Sequence, residues 1–252
     1  MTIHLGSEVE IEYFGDESNS GNIVVYGFVG FKPEVLDQAI NVFNKIKIQF
    51  KGSEDAELHC RSLFAGDSRA KSKWSHLVHN QPQFLCLEVA KAMRALDAKA
   101  IICRTDKRGL PERLNLTFKN AVPEPTHSSH ELGDKQIQQY LYSAIMGHIA
   151  YSGKLGNVKI WVDEDTTKIE WHNGKKQAKN ILDLVKPTGF DPGRYKPILE
   201  IADLFVYAAA RYYSKDKRKG RMIFKMIHDC FSPVVLNYTF STETWDPVKN
   251  TE

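Results

Sequence analysis

Glu8 to Gly21 reads E-V-E-I-E-Y-F-G-D-E-S-N-S-G and sets acidic residues where a strand runs out into turn formers. Val9, Ile11 and Tyr13 alternate with Glu10, Glu12 and Phe14, the period-two pattern of a half-buried strand, and Asp16 falls on the second set. Asp16, Ser18, Asn19, Ser20 and Gly21 then precede another strand-like run, Ile23 to Phe31, so the stretch predicts a hairpin. In that reading Asp16 is a turn residue whose carboxylate caps its own backbone. The competing reading, a chemical role for Asp16, depends on acids elsewhere in the chain.

Working outward, Pro33 to Phe50 predicts an amphipathic helix, with Val35, Leu36, Ala39, Ile40, Phe43 and Ile46 at helical spacing. Gly52 to Lys73 reads as a connection, Gln81 to Leu96 as a helix and Lys99 to Arg104 as a short apolar strand. Leu114 to Phe118 is a short strand or an extended connection, and Ala121 to His130, with two prolines, a loop. Asp134 opens a helix to about Tyr151. Asn157 to Asp163 predicts a strand with Lys159, Trp161 and Asp163 on one face. Further helices are expected from near Pro197 to near Tyr213 and from Met222 to Cys230, then strand character at Val234 to Phe240. This alternation, without a break in composition, predicts one α/β domain over residues 1–252, its core about 8–213 and a C-terminal helix and tail at 214–252.

The 252 residues are 42% hydrophobic, enough for an ordinary buried core. A net charge of +3 excludes nucleic-acid binding by bulk charge and confines any such surface to local runs. The densest is Lys215 to Arg221, K-D-K-R-K-G-R; a looser one holds Arg61, Arg69, Lys71 and Lys73. No apolar run nears the roughly 18 residues of a membrane span, and the N-terminus lacks a signal-peptide layout, so a cytoplasmic protein is expected. Cys60, Cys86, Cys103 and Cys230 are widely spaced, which predicts reduced thiols and no zinc ribbon. His76-x-x-His79 and His127-x-x-His130 lack the glutamate of a metalloprotease and read as surface or capping residues. There is no phosphate-binding glycine loop, nucleophile elbow or dinucleotide fingerprint.

The chemistry concentrates in four acids. Asp203 sits among Ile198, Leu199, Ile201, Ala202, Leu204, Phe205 and Val206, a helix apolar nearly all round and therefore buried. A carboxylate there needs a partner, and Glu200, Tyr207, Lys196 and Arg211 are within helical reach. A buried salt bridge and a functional role both satisfy that need. Asp163 ends a strand and is followed by Glu164 and Asp165, three carboxylates that repel one another unless a cation or a helix N-terminus faces them. With Asp16 and Glu57 these acids come from separate elements, as a two-metal phosphodiesterase requires, and their hard oxygens suit Mg²⁺ or Mn²⁺.

Four pieces in order, Y-F-G-D-E-S at Tyr13 to Ser18, E-L-H-C at Glu57 to Cys60, W-V-D-E at Trp161 to Glu164 and P-I-L-E-I-A-D-L at Pro197 to Leu204, resemble the hallmarks of the family catalogued as domain of unknown function 3800. The resemblance spans residues 11 to about 213 and implies an RNase H-like fold, related to retroviral integrases and Holliday-junction resolvases: a mixed central sheet with an N-terminal hairpin, flanked by helices. It implies that Asp16, Glu57, Asp163 and Asp203 bind Mg²⁺ or Mn²⁺ in a nuclease or related phosphoryl-transfer enzyme, with Glu17 and His59 beside them. Two departures stand out: Asn19, with Gly21 two further on, where the family commonly has glycine, and Glu200-Ile201 where it often has glutamine. Glu200 thereby adds a negative charge near the acids, and His59 is a candidate for proton transfer. Nucleic acid is the expected partner, with Lys215, Lys217, Arg218, Lys219 and Arg221 as backbone contacts. The alternatives are a non-catalytic nucleic-acid- or partner-binding module with the same fold, and a hydrolase of a small nucleotide.

Overall fold

The structure is a computed structural model that describes residues 10–108, 110, 113–118, 126–131, 133–151, 158–162, 195–214 and 221–238. Its strands are β1 (Ile11–Ser20), β2 (Ile23–Phe31), β3 (Lys99–Asp106), β4 (Arg113–Phe118), β5 (Thr126–Glu131), β6 (Val158–Val162) and β7 (Val234–Asn237). Its helices are α1 (Leu36–Gln49), entered through a 3-10 turn at Pro33–Val35, α2 (Cys60–Phe64), α3 (Gly66–Ala70), α4 (Gln81–Ala95), α5 (Asp134–Tyr151), α6 (Lys196–Tyr213) and α7 (Arg221–Phe231). Five strands form a mixed sheet in the order β6-β1-β2-β3-β7. Strands β1, β2 and β3 run antiparallel in sequence, while β6 lies parallel to β1 and β7 parallel to β3. Strands β4 and β5 make a separate antiparallel pair.

The expected hairpin is present, but its turn falls later than the turn-forming residues suggest. Strand β1 continues to Ser20, with Asp16 opposite Gly27 and Asn19 opposite Val24, and the chain reverses at Gly21 and Asn22. Gly21 has φ +59°, the left-handed backbone that a two-residue hairpin turn demands and glycine supplies without strain. Cross-strand pairing with the apolar run Ile23 to Tyr26 therefore overrides the turn preference of Asp16, Ser18 and Asn19. Asp16 is a strand residue. Strand β1 is also covered on both faces, since Tyr13 and Phe14 are both buried, where alternation predicted a half-exposed strand.

Two other segments depart from their sequence readings. Thr126 to Glu131, expected within a loop, pairs as β5 with β4, and the connection after Gly52 holds the short helices α2 and α3. The helices predicted at Gln81, Asp134, Pro197 and Met222 lie where their apolar periodicity placed them. Asp163, Glu164 and Asp165 lie outside the described residues, as do Lys215, Lys217, Arg218 and Lys219; Arg221 opens α7.

The sheet separates two apolar layers. Tyr13, Val24, Tyr26 and Phe28 pack with Ile137, Leu141 and Ile145 of α5 on one face. Phe14, Val25 and Val29 pack with α1, α4, α6 and α7 on the other. Helix α6 seats directly on the sheet: a β-carbon at Gly27 would stand 2.8 Å from Val206 Cγ1, 3.0 Å from Phe205 Cε1 and 3.3 Å from Ile101 O. We expect Gly27→Ala to cost about 1–3 kcal/mol by forcing the helix off the strand. Urea denaturation measures this, and an unchanged midpoint would show that the helix yields freely there. Among the described residues no helix is long and apolar enough to cross a membrane, and all four cysteines are free.

Candidate functional site

Helix α6 organises the site. From Glu200 to Ala210 every residue is buried except Asp203, which reaches partial exposure. The helix is thus apolar enough to lie against the sheet, and it opens to solvent at its carboxylate. Residues directly opposite in an antiparallel pair project to the same face. Asp16, opposite Gly27, therefore projects to the face where Val206 and Phe205 lie, which is the face carrying Asp203.

The third component is the segment before α2. Ala56, Leu58 and Cys60 are buried while Glu57 and His59 are exposed, the alternation of an extended chain, and His59 has φ −95° and ψ 110°. Two carboxylates one helical turn apart hold this segment by alternate amides. Leu58 N–H donates to Glu200 Oε2 at 3.0 Å, and Cys60 N–H donates to Asp203 Oδ2 at 2.7 Å. From α1, Lys47 Nζ donates to the carbonyls of Glu54 at 2.6 Å and Ala56 at 3.2 Å, and stands 3.6 Å from Glu200 Oε2. Trp74 Nε1 donates to Glu57 O at 2.8 Å. The backbone is tied inward, so the Glu57 and His59 side chains point outward beside Asp203.

The charges follow from this packing. Burial raises the Asp203 pKa; the Cys60 amide and the His59 ring oppose the rise, and Glu57 adds to it. Burial also raises the Cys60 thiol, next its contact with the Cys86 thiol, and then the negative charges of Asp203 and Asp16. Glu57 and His59 thus act on Asp203, and Asp203 and Asp16 both act on the Cys60 thiol. Burial is the leading cause at Asp203, and of the charges around it that of His59 opposes the rise more than that of Glu57 adds to it.

Each sequence candidate has a definite place. Asp16 Oδ1 accepts the Glu17 N–H at 2.8 Å. Glu17 lies opposite Tyr26, whose ring packs with Tyr142 of α5, so it projects away from Asp203. Glu200 supports the Glu57–Cys60 segment from beneath through Leu58 and Lys47. The charged partners expected for Asp203 from Lys196 and Arg211 are replaced by an amide. Lys196 Nζ instead meets Glu57 Oε2 at 3.1 Å, and Arg211 lies over the Tyr207 ring at 4.8 Å. Asp163 lies outside the described residues; β6 is described to Val162, which pairs with Gly15, the residue before Asp16.

Lys47 was missing from the sequence reading, and its signal was its spacing. Ala39, Phe43 and Lys47 recur every four residues on the buried stripe of α1, and Lys47 is only 1% exposed. A lysine on such a stripe requires an acceptor set, and here it has two carbonyls and Glu200. Oxygen donors dominate the site and suit a hard divalent cation. Among the described residues no three His, Cys, Asp or Glu side chains close around one metal position.

No family model, curated protein or solved structure matches the chain.

Proposed function

We propose that the chain is a Mg²⁺- or Mn²⁺-dependent nuclease, or a related phosphoryl-transfer enzyme, with an RNase H-like fold. The observation that carries this reading is Asp203: a carboxylate in a helix otherwise buried from Glu200 to Ala210, turned to the segment bearing Glu57 and His59 and sharing the surroundings of Cys60 with Asp16. An N-terminal hairpin inside a mixed sheet flanked by helices agrees with the fold that the four motifs imply. The parallel register of β1 and β6 adds support, because the residues following the Gly15–Val162 pair are the acids Asp16 and Asp163.

In this reading Asp16, Glu57, Asp163 and Asp203 hold the metal. When bound, divalent ions supply an activated water and stabilise the leaving oxygen. His59, exposed beside Asp203, exchanges a proton with the reacting groups or orients the substrate. Lys215, Lys217, Arg218, Lys219 and Arg221, directly after α6 in sequence, contact backbone phosphates.

Cleavage of single-stranded, duplex and hybrid substrates with Mg²⁺, Mn²⁺ or chelator tests the reading, comparing wild type with Asp16→Asn. We expect metal-dependent cleavage by wild type and a loss of at least about tenfold in the variant, whose amide keeps one oxygen but no charge. Equal cleavage by both would remove Asp16 from the site. One contact favours the non-catalytic module instead: Lys196 occupies the Glu57 carboxylate. Nucleic-acid binding by wild type without cleavage under any metal would select that reading.

A further inference from the structure

A second polar constellation lies on the same face of the sheet, at the β3–β7 end. Arg104 pairs across β3 and β7 with Asn237, and its Nε donates to Asn237 Oδ1 at 2.7 Å. Its guanidinium carbon stands 4.0 Å over the centroid of the Tyr213 ring, at the end of α6. Burial pushes the Tyr213 hydroxyl up to about 12, so it stays protonated and donates to His228 Nε2 at 2.8 Å. The His228 Nδ1–H then faces Asp229 Oδ1 at 3.2 Å, and Asp229 also pairs with Lys225 one turn back on α7. The Tyr212 ring closes the cluster, 4.9 Å from Tyr213 and 5.0 Å from His228.

This chain of contacts fixes the plane of the Arg104 guanidinium. Asn237 holds one edge, the Tyr213 ring lies under its face, and His228 and Asp229 hold Tyr213. Among the described residues neither Nη group has a hydrogen-bond or ion-pair partner. A locked fork whose paired donors have no partner among the described residues is preorganised for a bidentate oxyanion, and the ordering entropy is already spent in the fold.

We propose that Arg104 forms a phosphate subsite for the backbone of a nucleic acid whose scissile bond lies at the acidic site. The proposal rests on the nuclease reading for its substrate, and the spacing is what favours nucleic acid over another anion. Asp16, Gly27 and Ile102 align across β1, β2 and β3, and Arg104 is two residues beyond Ile102 on the same face. Two strand spacings and two residues put Arg104 about 12 Å from Asp16. Ten residues of α6 put Tyr213 about 15 Å from Asp203. Along a duplex axis, where each strand carries one phosphate per about 3.4 Å, that separation corresponds to about four nucleotides. Tyr212 adds an aromatic ring beside the phosphate contact, as strand-binding surfaces use.

The test measures binding by fluorescence anisotropy in chelator, with labelled single-stranded DNA, duplex DNA and single-stranded RNA, over a salt series. We expect Arg104→Gln to weaken binding roughly tenfold and to lower the salt slope by about one, the signature of one lost phosphate contact. Arg104→Lys should recover the slope and only part of the affinity, because the point charge lacks the fork. The probe for which the loss is largest identifies the strand type. Unchanged affinity and slope in Arg104→Gln would overturn the proposal, as would an affinity loss with an unchanged slope, which marks a packing effect. A wild type that binds none of the probes, or that releases them equally to polyglutamate and to unlabelled oligonucleotide, would overturn it as well. Binding in chelator is read separately from cleavage. Retained metal-dependent cleavage with no effect of Arg104→Gln sinks the subsite alone, and an Arg104 effect without cleavage sinks the nuclease reading while keeping Arg104 as a backbone-phosphate contact.

Discussion

Asp203→Asn is expected to lower metal-dependent cleavage by at least about 100-fold, beyond the 10- to 100-fold typical of residues that only support a metal ligand, while the variant melts at pH 7 no lower than wild type. The two halves of this expectation have one cause. The carboxylate is held in a largely apolar helix, where burial outweighs the help of the Cys60 amide and raises its pKa above the ordinary 3.8. A raised folded pKa means that ionisation is harder in the folded state than in the unfolded chain. Its contribution to stability is fully present below the unfolded pKa and is lost as pH rises through the folded pKa. At pH 7 the charge is therefore a stability cost, and asparagine removes it while its side-chain oxygen still accepts from Cys60. Adding Mg²⁺ should raise the wild-type melting temperature and leave the variant unmoved, a readout independent of turnover. Equal cleavage by the two proteins would remove Asp203 from the site. A variant that melts well below wild type at pH 7 would show that the charge has a stabilising partner.

The same carboxylate shows where sequence reasoning reached and where it stopped. Periodicity alone located α4, α5, α6 and α7, because each carries an apolar stripe, and it identified Asp203 as a charge needing a partner. It searched for that partner among side chains on the same helix. The partner is the amide of Cys60, 143 residues away in the chain, and no local pattern encodes an amide. Turn chemistry misled at Asp16 for a related reason. Ser18 and Asn19 favour turns in isolation, but Val25 and Val24 opposite them extend the ladder, and Gly21 with its left-handed backbone takes the reversal instead. The exposed positions of Glu57 and His59 were invisible in a segment that read as a connection, because the alternation there is imposed by Lys47, Glu200 and Asp203 from outside it.

Lys47→Met is expected to have the largest effect on stability, about 3–5 kcal/mol, the usual cost of stranding one member of a buried ion pair. Lys47 is 1% exposed and Glu200 8%, and burial is the leading influence on both, lowering the lysine pKa and raising the glutamate pKa. Desolvation therefore exceeds mutual attraction on each side, so the pair is not a strong source of net stability; its value is positional. It fixes Glu54, Ala56 and Leu58, and through them the outward presentation of Glu57 and His59. Methionine fills the lysine's volume but leaves Glu200 with the Leu58 amide and the weaker influence of the Lys196 charge, which raises the glutamate pKa further. A raised acid pKa stabilises at low pH and loses that contribution as pH rises, so the variant's deficit should be larger at pH 8 than at pH 5. Adding Glu200→Gln to Lys47→Met removes the stranded charge while keeping an acceptor for Leu58, and should recover more than half of the loss. Urea unfolding of the single and double variants at both pH values decides the matter. A deficit independent of pH, or a double variant less stable than Lys47→Met alone, would mean that the lysine acts by packing and that the pair does not position the segment.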